Sequence, residues 1–174
     1  MDSRAVVASF LACWRVQDLE MSLGHLSHDV VYTLHNGPDA EPFSGSHQGI
    51  EACRELGYKV LAAFDYLDYD PTIVNAGTTV VQVHVRFRIR HRDSGHVIEG
   101  TQRSVFRVSG GRIVALDIFE DSARIEAFIQ LLTHREVITN PRASVDGLHD
   151  TATEAGTMLE RVFGRVAQRA PGRR

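Results

Sequence analysis

Lysine is almost absent from this chain of 174 residues: Lys59 is the only one among 19 basic residues. A Schiff-base mechanism would rest on that single amine, in the polar part of a helical pattern, so covalent amine chemistry is set aside. Cysteine is nearly as scarce. Cys13 and Cys53 both fall inside helical patterns and read as two buried thiols rather than a disulfide. No apolar run approaches the length of a membrane span, and MDSRAVVASFLACWR lacks a basic segment followed by a small-residue cleavage site. A cytoplasmic location is the expectation. Positive charge is not in excess either. A net charge of -3 argues against nucleic acid as the main partner, because neutralising phosphates needs a basic surface. The nine histidines form no His-x-x-x-His or mixed His/Cys set, and His25 and His28 beside Asp29 read as a solvated helix end. No metal and no cofactor are expected.

What the chain does have is a stretch from Thr78 to Glu120 rich in Val, Ile, Phe and Thr. Arg92-Asp93-Ser94-Gly95 and Ser109-Gly110-Gly111 divide it into three extended runs, which predicts an antiparallel meander. In the first run Val83, Val85, Phe87 and Ile89 alternate with His84, Arg86, Arg88 and Arg90. In the second, Ile98, Gly100, Gln102, Ser104, Phe106 and Val108 alternate with Glu99, Thr101, Arg103, Val105 and Arg107. Alternation of this kind assigns one set to a covered face. Gln102 and Ser104 interrupt the apolar set in mid-strand, which points to a pocket rather than plain core. A one-residue slip or a bulge would instead turn His84, Arg86 and Glu99 inward.

Before this stretch, Val6, Val7, Phe10, Leu11 and Trp14 recur at helical spacing, and Asp18 starts a second, short helix. HDVVYTLHN alternates Val30, Tyr32 and Leu34 against Val31, Thr33 and His35 and reads as a strand. NGPDAEPFSG reads as a loop. Ser46 is the expected N-cap of a long helix, HQGIEACRELGYKVLAAF, and Pro71 is expected at a strand start or bulge. Asp121 or Ser122 caps a helix with a stripe of Ile125, Phe128, Ile129 and Leu132. Near Thr139 the composition turns polar. TNPRASVDGLHD reads as a linker to a last amphipathic helix carrying Met158, Leu159, Val162, Phe163 and Val166. The division expected is therefore a domain over 1–133 and a linker with a C-terminal helix over 134–174.

VVASFLACWRVQDLEMSLGHLSHDVVY, PFSGSHQGI and FRVSGGRIVALDIFED, in that order and spacing, resemble the ketosteroid-isomerase-like superfamily, also called nuclear transport factor 2-like, and its SnoaL-like branch. The resemblance runs over residues 4 to 132. It implies an α+β fold in which a cone-shaped, curved antiparallel sheet wraps a long helix (cystatin-like), with a C-terminal helical extension. It also implies an apolar cavity at the open end and a homodimer through the outer sheet face. Members include isomerases, cyclases, dehydratases, epoxide hydrolases and proteins with no enzymatic role, so fold alone does not give the reaction. In the isomerases a helix tyrosine, a strand aspartate and a protonated sheet carboxyl do the chemistry. Those positions fall on Phe10, Leu34 and Ser104, so all three groups are missing. The last-strand carboxylate of cyclase-like and epoxide-hydrolase-like members falls on Ile118.

The candidate site residues follow. His47, near the expected cavity mouth, and Glu120, on the inner-face parity at the end of the last strand, form an acid/base couple. The plainer readings are a surface histidine and, for Glu120 with Asp121, charge stabilisation of a helix N-terminus. Phe10, Trp14, Tyr32, Gln102, Ser104, Phe106 and Ile118 are expected to contact a small, largely apolar molecule. For the aromatics, core packing explains the pattern equally well; Gln102 and Ser104 could also bond one another. Opposite charges facing across strands, Glu99 and Asp117 among them, account for the arginine row. The functions this leaves are a cofactor-independent isomerase, cyclase, dehydratase or hydrolase, or a non-catalytic binding or dimerisation module.

Overall fold

Period-two alternation becomes a sheet in the computed structural model, which describes residues 2–139. Strand β4 (Val80–His91) buries Val81, Val83, Val85 and Phe87 and leaves Gln82, His84, Arg86 and Arg88 exposed. Strand β5 (Val97–Ser109) sets Ser104 opposite Val83 and Gln102 opposite Val85. His84 faces Arg103 and Arg88 faces Glu99, all on the exposed side. This register fixes the faces: His84, Arg86 and Glu99 point away from the core.

Two further strands extend the meander, β3 (Phe64–Ala76) beside β4 and β6 (Arg112–Phe119) beside β5. Strand β1 (Leu26–Leu34) adds to the other side of β6 and carries β2 (Gly45–Gln48), so the order is β2-β1-β6-β5-β4-β3. The pairing of β1 with β6 is parallel, with Leu34 opposite Ile118. The sheet is thus mixed rather than wholly antiparallel. Parallel neighbours need a long connection, and here everything from β2 through β5 serves as one.

Helix α1 (Ser3–Arg15) is capped by Asp2, whose Oδ1 accepts from the Ala5 amide at 2.7 Å, and buries Val6, Val7, Phe10 and Leu11. Helix α2 (Leu19–Leu23) is capped by Asp18. Helix α3 (Ile50–Ala63) approaches α2 closely at Gly57, where a Cβ would meet Leu19 Cδ1 at 2.5 Å. Ser46 does not cap α3. It lies in β2 opposite Thr33, with the two hydroxyl oxygens 3.2 Å apart, and Gly49 (φ 86°) turns the chain into the helix. Edge pairing with β1 claims the residues that helical spacing had assigned to α3. Pro71 sits in mid-strand opposite Val85, away from the register shifts of β3. The edge position of β3 tolerates a residue without an amide donor.

Helix α4 (Ser122–Thr139) begins at Asp121, whose Oδ1 accepts from the Arg124 amide at 3.3 Å. One compact unit ends at Leu131. Its core lies between the inner sheet face and the helices. Val30, Val81, Val83, Val85 and Ile113 are fully inaccessible there, and Phe106 and Leu116 nearly so. The linker and the amphipathic helix expected after Thr139 fall outside the described residues. Among the described residues no helix is long and apolar enough to cross a membrane.

Candidate functional site

A cavity of about 120 Å³ opens on the inner face of the sheet, walled by side chains such as Phe10, Trp14, Leu56, Phe64 and Phe128. Its polar groups come from separate places in the chain, Ser22 of α2 among them. Tyr32 projects from β1 with the parity of Val30, and Gln102 from β5. Tyr66 and Tyr69 come from β3; at a spacing of three they would lie on opposite faces of a regular strand. A bulge at Leu67 changes the parity, so Tyr66 pairs with Ile89 and Tyr69 with Phe87, both inward positions. Asn36 and Glu120 stand just beyond the ends of β1 and β6, brought side by side by the parallel pairing of those strands.

Among the described residues Glu120 is the one carboxyl lining the cavity, and no Lys, Arg or His lines it. Its Oε2 accepts from Asn36 Nδ2 at 2.9 Å, and the same nitrogen donates to the Phe43 carbonyl at 3.1 Å. Because a carbonyl can only accept, the Phe43 bond orients the Asn36 amide. Asn36 Oδ1 is left buried without a partner. Burial pushes the Glu120 pKa above the usual carboxylate range, and the Asn36 hydrogen bond opposes only part of that shift. Tyr32, Tyr66 and Tyr69 are all held in the neutral form by burial first, with proximity to Glu120 adding to it. Tyr66 meets the Trp14 ring edge-on at 6.0 Å, and its neutral hydroxyl keeps a proton that it can donate. Cys53 also lines the cavity. Burial raises its thiol to about 11, so it stays a neutral thiol and a poor nucleophile near neutrality.

Of the residues expected from the sequence, Phe10, Trp14, Tyr32, Gln102 and Glu120 line the cavity. Ser104 lies behind it, 2% exposed, and accepts from Gln102 Nε2 at 3.1 Å. Phe106 and Ile118 are also behind the wall; Phe106 packs edge-on against Phe10 at 5.6 Å. His47 is not among the lining residues: it lies on β2, with Nε2 3.3 Å from the Ser44 carbonyl oxygen. The structure does not assemble His47 with Glu120, because the segment before Gly49 is an edge strand. Asn36, Tyr66 and Tyr69 had no place in the sequence reading. Asn36 is hidden in a loop of turn residues, and the two tyrosines are hidden by the bulge. The repeated Tyr-x-x-Tyr beside a run of aspartates was the only signal.

The outer face is a lattice of ion pairs. Arg86 meets Asp70 at 2.5 Å and Arg90 meets Asp65 at 2.8 Å, so β3 supplies most of the acidic partners. Asp117 accepts from His35 at 3.0 Å and lies 3.7 Å from Arg107. Across β4 and β5, Glu99 faces Arg88 in the register. Among the described residues no group of His, Cys, Asp and Glu is arranged to hold a metal ion.

Residues 7–116 match the SnoaL-like domain family. The chain belongs to that family. Solved structures of the same fold accompany this SnoaL-like chain at low identity. A nuclear transport factor 2-like protein from Burkholderia thailandensis is 19% identical with a TM-score of 0.63, over 72% of this chain and 95% of its own. A provisionally named polyketide cyclase from Xanthomonas campestris is 17% identical with a TM-score of 0.59, over the same shares. A provisionally named isomerase from Rhodopseudomonas palustris is 16% identical with a TM-score of 0.61, over 70% of this chain and 92% of its own. At such identity the likeness is one of fold. No curated protein matches the sequence.

Proposed function

We propose that this SnoaL-like protein is a cofactor-independent enzyme that moves a proton on a small, largely apolar carbonyl compound, with Glu120 as the transferring group. The observation that carries the reading is a single carboxyl placed in a largely apolar, tyrosine-lined cavity, with a raised pKa and, among the described lining residues, no Lys, Arg or His. Such a carboxyl sits closer to the pH at which giving and taking a proton are both feasible. As the carboxylate, Glu120 takes a proton from carbon next to a ligand carbonyl; as the acid, it returns a proton to another atom. The oxygen that gains charge meanwhile is met by tyrosine O–H groups of the cavity wall, that of Tyr66 among them. Isomerase and polyketide cyclase are names of neighbouring structures, and both reactions turn on proton shifts of this kind.

Acetophenone, a one-ring methyl ketone, makes the proposal testable without the natural substrate. Its methyl protons are expected to exchange with D₂O faster in the presence of the protein than in buffer. Glu120→Gln is expected to lower that rate by ~10²–10⁴-fold. Saturable binding of acetophenone with exchange no faster than in buffer would favour the non-catalytic binding module instead.

A further inference from the structure

We infer that the cavity selects uncharged molecules about one ring in size and rejects anions of the same shape. The inference concerns the ligand of the site described above and rests on Glu120 and the tyrosines facing one cavity. Two independent features carry it.

The first is the charge inventory of the wall. Among the described residues lining the cavity there is one carboxyl and no Lys, Arg or His, while the arginines of β4 and β5 all lie on the opposite, exposed face. Inside the cavity a ligand carboxylate would arrive beside Glu120 with no cation among the described lining residues to neutralise it. Two carboxylates in one apolar site cannot both ionise without a large penalty, and one must hold a proton. The remaining polar groups match an uncharged partner instead. The hydroxyl of Tyr66 and the amide of Gln102 can donate to a ligand carbonyl, ether or hydroxyl oxygen, and neither brings a formal charge.

Size is the second feature. At about 120 Å³ the cavity is comparable with an apolar cavity of ~150 Å³ that takes up benzene. It is well below the ~300–1,000 Å³ of pockets that enclose drug-sized ligands. Its wall cannot recede easily on the sheet side, since Val83, Val85 and Phe106 behind it are packed to 1% exposure or less. A fused polycyclic skeleton would have to displace that layer.

The test is a binding comparison on the full chain at pH 7.5, read by NMR shifts of the protein and by its intrinsic fluorescence. Methyl benzoate, benzoate and methyl anthracene-2-carboxylate are titrated separately. Methyl benzoate is expected to bind at least tenfold more tightly than either of the other two. In Glu120→Gln, shown to be folded by circular dichroism, the gap between methyl benzoate and benzoate is expected to narrow. Benzoate binding as tightly as its ester in the wild type would overturn the charge argument, and the anthracene ester binding as tightly as methyl benzoate would overturn the size argument. Neither result depends on turnover. An ester-selective protein that exchanges no acetophenone protons keeps this inference and loses the enzymatic one; a catalyst indifferent to ligand charge does the reverse.

Discussion

Asn36 Nδ2 joins two elements at once, donating to Glu120 Oε2 at 2.9 Å and to the backbone oxygen of Phe43 at 3.1 Å. The carboxyl beyond β6 and the loop beyond β1 are therefore held by one amide group. Removing it frees both acceptors.

Asn36→Ala is expected to cost ~1–3 kcal/mol of stability, the penalty for buried acceptors left unpaired. It also removes the interaction that opposes the upward shift of Glu120. The pH midpoint of acetophenone exchange should move upward in the variant. Urea denaturation and a pH–rate profile measure the two effects separately. An unchanged midpoint would show that the amide does not govern the carboxyl.

The pH dependence of stability has a definite sign at Glu120. Its folded pKa is raised, so between the unfolded value and the folded value the native state holds the extra proton. The favourable contribution is complete below the unfolded pKa, about 4.3, and disappears as pH rises through the folded one. Glu120→Gln should therefore gain thermal stability over wild type as pH is raised from 4 to 8, by ~2–4 °C for each kcal/mol relieved. The half-buried carboxylates Asp65 and Asp70, lowered chiefly by hydrogen bonds from Arg90 and Arg86, act in the opposite direction. Their contribution is lost as pH falls through their folded values. Both proteins should lose that part alike, so the difference between the two melting curves isolates Glu120.

Tyr66→Phe removes a hydroxyl and keeps the ring that Trp14 and Tyr69 pack against. Acetophenone exchange is expected to fall by ~10²-fold, as for the loss of one donor to a developing oxyanion. A change in affinity alone, with the rate at saturation preserved, would make Tyr66 an anchor and not a participant.

Phe106→Ala tests the layer behind the cavity. The ring is 1% exposed and meets Phe10 edge-on, so truncation should cost ~3–5 kcal/mol in chemical denaturation. A cost below about 1 kcal/mol would mean that the wall collapses readily, and would undercut the size limit placed on the ligand.

The outer sheet face is expected to receive a second copy of the chain. Val74, Val80 and Phe119 are exposed on it, alongside the Arg86–Asp70 and Arg90–Asp65 pairs. Sedimentation at micromolar concentration should show a dimer that weakens with salt, since exposed pairs are screened. Phe119→Asp should give a monomer. A wild-type monomer at all salt concentrations would refute the expectation.

The legible parts of the sequence were those governed by a single local period. The inward parity of Val83, Val85 and Phe87, and of Gln102 and Ser104, follows from alternation along strands without bulges. The caps at Asp18 and Asp121 follow from side-chain chemistry three residues from an amide. What was not legible depends on breaks in period or on distant pairing. Tyr66 and Tyr69 share a face only because Leu67 is bulged out, and a bulge leaves no signature in composition. Ser46 and His47 look like a helix start until β1 is known to lie beside them. Asn36 reaches Glu120 only because two strands from opposite ends of the domain run side by side.

That last pairing also dictates when the cavity can come into being. Leu34 and Ile118 are neighbours in the sheet but 84 positions apart in the chain, a closure that topology makes slow. During synthesis the meander of β3 to β5 can form while β6 is still within the ribosome. Until β6 emerges, the first strand has no partner on that side and the edge of β5 is open. Tyr32, Asn36 and Glu120 then meet in one late event: until β6 joins the sheet, Tyr66, Tyr69 and Gln102 have their strands but Glu120 and its contact with Asn36 are missing.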